Sequence, residues 1–242
     1  MGTQYVLVHG ACHGAWCWDE VAARLRRRGL QVVTPDLPGH GRRAAEVRQA
    51  SVATYARAVA SAMAQAGVSR GIVVGHSMAG LVIPKAAELA PQRVAHLVFL
   101  AAVVVPDGGT LAATNATPPA REMLRGMVAG RGDGTFLYPA ETAWTRWMGD
   151  LPRHHPQVVR ALSLLTPQAV RPFVEPVDLR RFYAMRVPRT YVRCLADAAV
   201  PPDRAAGYAA RLGVAPVDMA CAHDAMLSAP DELTRILERI EP

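Results

Sequence analysis

Short, almost wholly apolar runs alternate along this chain with longer stretches in which apolar residues recur every three to four positions. Runs of the first kind suit strands buried on both faces, and they fall at residues 5–9, 31–34, 71–75, 94–104, 190–195 and 215–219. The helical period occupies the intervals, at 18–28, 51–66, 78–90, 203–212 and 231–241. The last of these helices is expected to start at Ser228, which precedes Pro230 and two acids. Such alternation predicts an α/β fold with a doubly wound, six-stranded, mainly parallel sheet, whose ligands sit at the carboxyl ends of the strands.

One stretch breaks the rhythm. From residue 106 to 186 the chain is rich in Pro and Gly, with helical pieces expected only at 143–148 and 156–165 and no convincing strand. An excursion of about 80 residues launched from a strand's carboxyl end reads as a mostly helical cap over the site. The expected organisation is therefore a core made of residues 1–105 and 187–242, with a cap subdomain at 106–186 inserted after the fourth strand.

Composition changes this picture little. Of the 242 residues 51% are apolar, enough for a full core and against disorder. No apolar run approaches the roughly 20 residues of a membrane span, so no membrane partner is expected. The start, Met1-Gly2-Thr3-Gln4, has no signal-peptide pattern, and a cytoplasmic location is the expectation. The net charge of +7 is carried almost wholly by arginine, Lys85 being the one lysine, which with the abundant alanine suggests a GC-rich bacterial genome. No basic stripe with interleaved aromatics exists, so nucleic acid is not an expected partner; Arg26-Arg27-Arg28 suits a helix C-terminus instead. The arginine surplus over 106–189 leaves an anionic substrate open, and a homodimer is equally open. Four cysteines (Cys12, Cys17, Cys194, Cys221) lack C-x-x-C spacing and read as small buried hydrophobes. Histidine spacing gives no zinc site, and no G-x-G-x-x-G follows a strand, so neither metal nor cofactor is expected.

The chemistry concentrates in Gly71-Ile72-Val73-Val74-Gly75-His76-Ser77-Met78-Ala79-Gly80. A strand runs into a serine flanked by small residues and then a helix, the pattern of a nucleophile elbow that lifts a strained serine above the sheet. Ala79 stands where the usual G-x-S-x-G form has its last glycine. A serine needs a base, an orienting acid and oxyanion donors, in the chain order Ser, Asp or Glu, His. Asp197 follows the fifth strand and His223 the sixth, where that order requires them. Asp107 is a rival acid after the fourth strand, while Asp36 comes too early. The oxyanion donors should be the N–H groups of Met78 and Ala11, with Gly10 letting the backbone approach. His9 and His76 precede tight turns and read as braces, whereas His13 can line the pocket. Substrate contacts are expected from His13, Trp144, Trp147 and Leu165, with Met148, Leu164 and Phe173 as further apolar candidates; cap-to-core packing would use the same residues.

These residues also carry a resemblance. Val6-Leu7-Val8-His9-Gly10-Ala11-Cys12-His13-Gly14-Ala15-Trp16-Cys17-Trp18 and Gly75-His76-Ser77-Met78-Ala79-Gly80 resemble an α/β-hydrolase subgroup. So do Val98-Phe99-Leu100-Ala101-Ala102, Asp197 before Val200-Pro201, and His223 before Met226-Leu227. The subgroup contains plant methylesterases, including the salicylate-binding methyl salicylate esterase, together with hydroxynitrile lyases and bacterial EstC-like esterases. The likeness spans the core and is weak across 106–186. It implies the α/β-hydrolase fold and a Ser-Asp-His hydrolase that needs no cofactor. The lyases carry a threonine just after the first-strand histidine and a lysine just after the catalytic histidine, where this chain has Gly10 and Asp224. Asp36-Leu37-Pro38-Gly39-His40-Gly41 is similar to bacterial members.

The expected activity is hydrolysis of a small to medium ester or lactone, or of a polyketide-like substrate, through an acyl-enzyme. The alternatives are a thioesterase, C–C hydrolase, cyclase or lyase step in secondary metabolism on the same triad, and a binding receptor with little turnover.

Overall fold

In the computed structural model, which describes residues 2–241, the six apolar runs form one sheet. Its strands are β1 (Gln4–Val8), β2 (Gln31–Val33), β3 (Gly71–His76), β4 (Val94–Leu100), β7 (Arg189–Cys194) and β8 (Pro216–Met219). Their order is β2-β1-β3-β4-β7-β8, and every pairing is parallel. Val6, Leu7, Val8, Ile72, Val73, Val74, Leu97 and Val98 are fully buried, as strands covered by helices on both faces require. The order reverses between β1, which runs to β2 on one side, and β3, which continues on the other. Loops leaving β1 and β3 therefore diverge at their carboxyl ends and open a crevice. In-register pairing from Gln4↔Gly71 to Val8↔Gly75 brings the two loop starts side by side there.

Helix ends follow local chemistry. Ser51 and Thr54 close a reciprocal capping box on helix Val52–Gln65, Ser51 Oγ accepting from Thr54 N at 3.1 Å and Thr54 Oγ1 from Ser51 N at 2.9 Å. The expected start of the last helix at Ser228 does not hold. Ser228 ends a separate turn, Ala225–Ser228, and the helix runs Pro230–Glu238 with Pro230 at its first position. The fourth strand is also shorter than its apolar run. It stops at Leu100 because Ala101 takes φ 45°, although the following residues to Val105 stay buried.

Residues 106–186 fill the gap between β4 and β7 with more structure than the sequence suggests. A two-residue antiparallel pair, β5 (Thr135–Phe136) with β6 (Gln168–Ala169), is present where no strand was expected. Two residues are too few for any alternation to be legible, and tertiary bonds secure the pair. Gln168 is fully buried; its Oε1 accepts from His40 Nε2 at 2.9 Å and Cys12 N at 3.4 Å, and its Nε2 donates to Tyr55 Oη at 3.2 Å. A 14-residue helix, Pro118–Arg131, occupies what reads as a Pro-Pro loop. Thr117 Oγ1 caps it at Ala120 N, Pro118 stands at its first position and Gly132 ends it at φ 69°.

Candidate functional site

Ser77 follows β3 at φ 55°, in the left-handed region that costs a non-glycine residue about 1–2 kcal/mol. Its surroundings force that conformation. Ser77 N donates to Leu100 O at 3.1 Å, and Ser77 O accepts from both Gly80 N and Val103 N at 3.1 Å. The turn is thus bolted to the irregular end of β4. A Cβ at Gly75 would lie 2.9 Å from the Ile83 side chain, and one at Gly80 only 2.3 Å from Val103 O. Ala79 is buried without such a conflict, so the tight position of this elbow is Gly80, one residue beyond the usual place.

His223 follows β8 and Asp197 follows β7, and their side chains are both 1% exposed. His223 Nδ1 donates to Asp197 Oδ2 at 2.7 Å. The other oxygen, Oδ1, accepts from Ala199 N and Val200 N at 2.7 Å each. Asp197 is therefore a turn residue and a histidine partner at once, its turn bonds aiming the second oxygen. Asp107, the rival, is used elsewhere: Oδ1 accepts from Leu179 N at 2.8 Å. Asp36 holds the β2 loop, accepting from Ala15 N at 2.7 Å and Arg42 N at 3.2 Å.

The loop after β1 presses against the elbow. A Cβ at Gly10 would stand 2.9 Å from Ser77 Cβ and 3.0 Å from His76 Nδ1, so only glycine permits this approach. Ala11 and Met78 line the same cavity as Ser77 and His223. Neither of their amide N–H groups donates to a protein acceptor among the described residues.

Three histidines surround these groups with separate duties. His9 Nε2 accepts from Leu37 N at 3.1 Å, so Nδ1 carries the proton and donates to Gly10 O at 2.8 Å. His76 Nε2 donates to His223 O at 3.1 Å and holds the β8 loop. Burial pushes both rings well below the usual histidine range, with neighbouring histidines adding to the effect. His13 differs: Nδ1 faces Ala11 O at 2.7 Å and Nε2 faces Asp224 Oδ2 at 3.1 Å. Both nitrogens meet acceptors, which only the imidazolium satisfies. Burial pulls His13 down, but the Asp224 charge and hydrogen bond, with the Ala11 carbonyl, more than offset it and raise its pKa. Burial likewise pushes Asp224 up, and His13 with the other two histidines brings it below the ordinary carboxylate range. Asp224 is wholly buried, and its N–H donates to Trp147 O at 2.8 Å. In the sequence Asp224 stands out only as the absence of a lysine; nothing local tells that its partner lies 211 positions away.

These groups face a cavity of about 290 Å³. Of the expected substrate contacts His13 and Trp147 line it, as does Phe173. Trp144 and Leu165 do not. Trp144 Nε1 donates to Leu151 O at 2.9 Å within 106–186, and Leu165 ends helix Pro156–Leu164 packed on the core. Met148 is fully buried and Leu164 is turned outwards. Leu111, Asn115, Leu124, Tyr138, Arg146 and Arg204 line the cavity without having been singled out. For Leu124 the signal existed, since Thr117-Pro118 and Gly132 bracket its helix. All four cysteines are buried and unpaired, and burial pushes the Cys12 thiol up to about 12. One group of ligand-type atoms, from His76, His223 and Asp224, converges within 4.8 Å. Two of these side chains already direct protons at protein acceptors, and we assign no metal there.

Among the described residues no helix is long and apolar enough to cross a membrane. Comparison with known proteins finds esterases and hydrolases. A carbendazim hydrolyzing esterase of Nocardioides sp. is 32% identical over 96% of this chain and 97% of its own length. A pyrethroid hydrolase of Sphingobium wenxiniae is 30% identical over 82% of this chain and 72% of its own. Among solved structures, an extracellular alpha/beta-hydrolase from a Paenibacillus species superposes with a TM-score of 0.89 at 23% identity, covering 98% of each chain. That protein shares structural and functional homology with Tobacco Salicylic Acid Binding Protein 2. The family model of the alpha/beta hydrolases matches residues 5–236, so this chain belongs to the alpha/beta hydrolase family and is an enzyme of it.

Proposed function

We propose that the protein hydrolyses a carboxylic ester or lactone through an acyl-Ser77 intermediate. The observation that carries this reading is the 2.7 Å bond from His223 Nδ1 to Asp197, on a ring that shares the cavity wall with the strained Ser77. With Nδ1 committed to the carboxylate, His223 Nε2 is left to take the Ser77 proton as Oγ attacks the ester carbonyl. The free amides of Ala11 and Met78 receive the oxyanion, and His223 returns the proton to the leaving alcohol. Water, activated by the same ring, then releases the acid. Residues 106–186 act as the cap, supplying the apolar wall opposite Ser77.

Two relatives, one named a pyrethroid hydrolase and the other a carbendazim hydrolyzing esterase, support the substrate class. Gly10 and Asp224 stand where the lyases of the resembling subgroup carry a threonine and a lysine, which weighs against the lyase alternative. Ser77→Ala tests the proposal with 4-nitrophenyl acetate as substrate. It should lower kcat/KM by about 10⁴-fold or more with an unchanged circular dichroism spectrum. The wild type should show an acyl adduct on Ser77 by intact mass. A variant that keeps wild-type turnover excludes Ser77 as nucleophile.

A further inference from the structure

The cavity beside Ser77 holds charge of one sign. Arg146 and Arg204 line it, and no aspartate or glutamate does. The carboxylates just behind its wall are already matched, Asp197 to His223 and Asp224 to His13. Acids near Arg146 in sequence are also engaged, since Glu141 pairs with Arg153 at 3.7 Å and Asp150 accepts from Ala222 N at 2.8 Å. Arg146 is half-buried on helix Ala140–Trp147, and its Nε is buried without a hydrogen-bond partner. Its guanidinium lies 5.5 Å from the centre of the Tyr138 ring, which also lines the cavity. Stacking on an aromatic face holds the guanidinium plane while its edge remains available to an acceptor. Arg204, half-buried on helix Pro202–Arg211, gives one nitrogen to the Asn115 carbonyl, which brings no negative charge. A half-buried cation without a counter-charge is costly, and here two share a cavity walled by Leu111, Leu124 and Phe173.

The geometry points to a substrate that supplies the missing charge: an ester bearing a carboxylate of its own, bound by Arg146 and Arg204 while its ester carbonyl lies at Ser77. This inference rests on the hydrolase reading and adds the substrate class. Guanidinium and carboxylate match as paired donors and acceptors, and the apolar wall strengthens their attraction by excluding water. A neutral ester of equal size would enter the same cavity and leave both arginines unmatched.

The test compares ester pairs that differ only in charge. On the acyl side, 4-nitrophenyl hydrogen glutarate is set against 4-nitrophenyl pentanoate; on the alcohol side, 4-acetoxybenzoate against its methyl ester. The quantity read is the anionic-to-neutral ratio of kcat/KM, compared between wild type and the Arg146→Gln, Arg204→Gln double variant so that intrinsic reactivity cancels. In at least one pair the wild-type ratio should exceed the variant's by about tenfold or more. If the double variant does not fold, the wild type answers by itself. Raising the salt concentration should lower kcat/KM for that anionic ester more than for its neutral partner. Turnover of neutral esters with equal ratios in both proteins, or with no salt-dependent difference, overturns this inference and leaves the hydrolase reading standing. No turnover of any of the four esters overturns both.

Discussion

The two walls of the cavity are held by different means. On the sheet side, position comes from the backbone: Ser77 at φ 55°, Gly10 within a Cβ's reach of it, and the open amides of Ala11 and Met78. On the other side, residues 106–186 contribute side chains such as Leu124, Arg146 and Phe173 from separate short elements. A wall made of backbone tolerates little change, because a shift of a few tenths of an ångström alters the reacting geometry itself. A wall of side chains can be resculpted one residue at a time, changing what fits while the chemistry stays. Among the hydrogen bonds that join the walls are those of Gln168 with His40 and of the Asp224 amide with Trp147 O.

The largest effect should come from the sheet wall. Gly10→Ala places a methyl 2.9 Å from Ser77 Cβ, so the loop carrying Ala11 must retreat. We expect kcat on 4-nitrophenyl acetate to fall by about 10–100-fold with little change in KM. Equal kcat would show that the two loops are not coupled as drawn.

The join at His40 should respond to acid. Burial lowers His40 to about 4, against 6.5 when unfolded, so the fold holds this ring neutral. Its contribution to stability is complete above about pH 6.5 and is lost as pH falls from there towards 4, when the unfolded chain takes up a proton that the native one refuses. For His40 alone the loss is on the order of 3 kcal/mol. His9 and His76 are lowered in the same direction. His13 works oppositely: its raised pKa gives stability that is full below about 6.5 and fades as pH rises through its folded value. With His96, which burial also lowers, the lowered rings outnumber it, so the urea midpoint should fall between pH 7 and 4.5, and less steeply in His40→Gln. A flat midpoint across that range would contradict the assignment.

The smallest effect belongs to the inserted wall. Phe173→Ala removes an apolar side chain that lines the cavity from a four-residue helix. It should raise KM for aryl esters several-fold, through lost burial of about 1–2 kcal/mol, while kcat changes less than twofold. A larger loss in kcat than in KM would erase the distinction between the walls.

How much of this was legible in the chain follows from the range of the forces involved. The buried strands announced themselves as apolar runs, and the elbow as small residues around Ser77, because sheet burial and turn sterics act within a few positions. Strand ends were less legible. The run at 94–104 stays buried to its end, but Ala101 leaves the strand at φ 45°, a backbone change that no residue type in the run signals. Residues 106–186 were the least legible, since their elements are short and anchored by distant partners, as Gln168 is by His40, 128 positions away.

By itself the sequence determined the sheet, the serine at its switch point, and the acid and histidine that follow the fifth and sixth strands of that sheet. Strand order and local turns place those residues whatever else surrounds them. The tertiary structure alone decided that Asp224 charges His13, that Trp147 and not Trp144 faces the cavity, and that Arg146 and Arg204 enter it without counter-charges. Burial, pairing and charge balance depend on what packs against a side chain from elsewhere in the fold, which spacing along the chain does not encode.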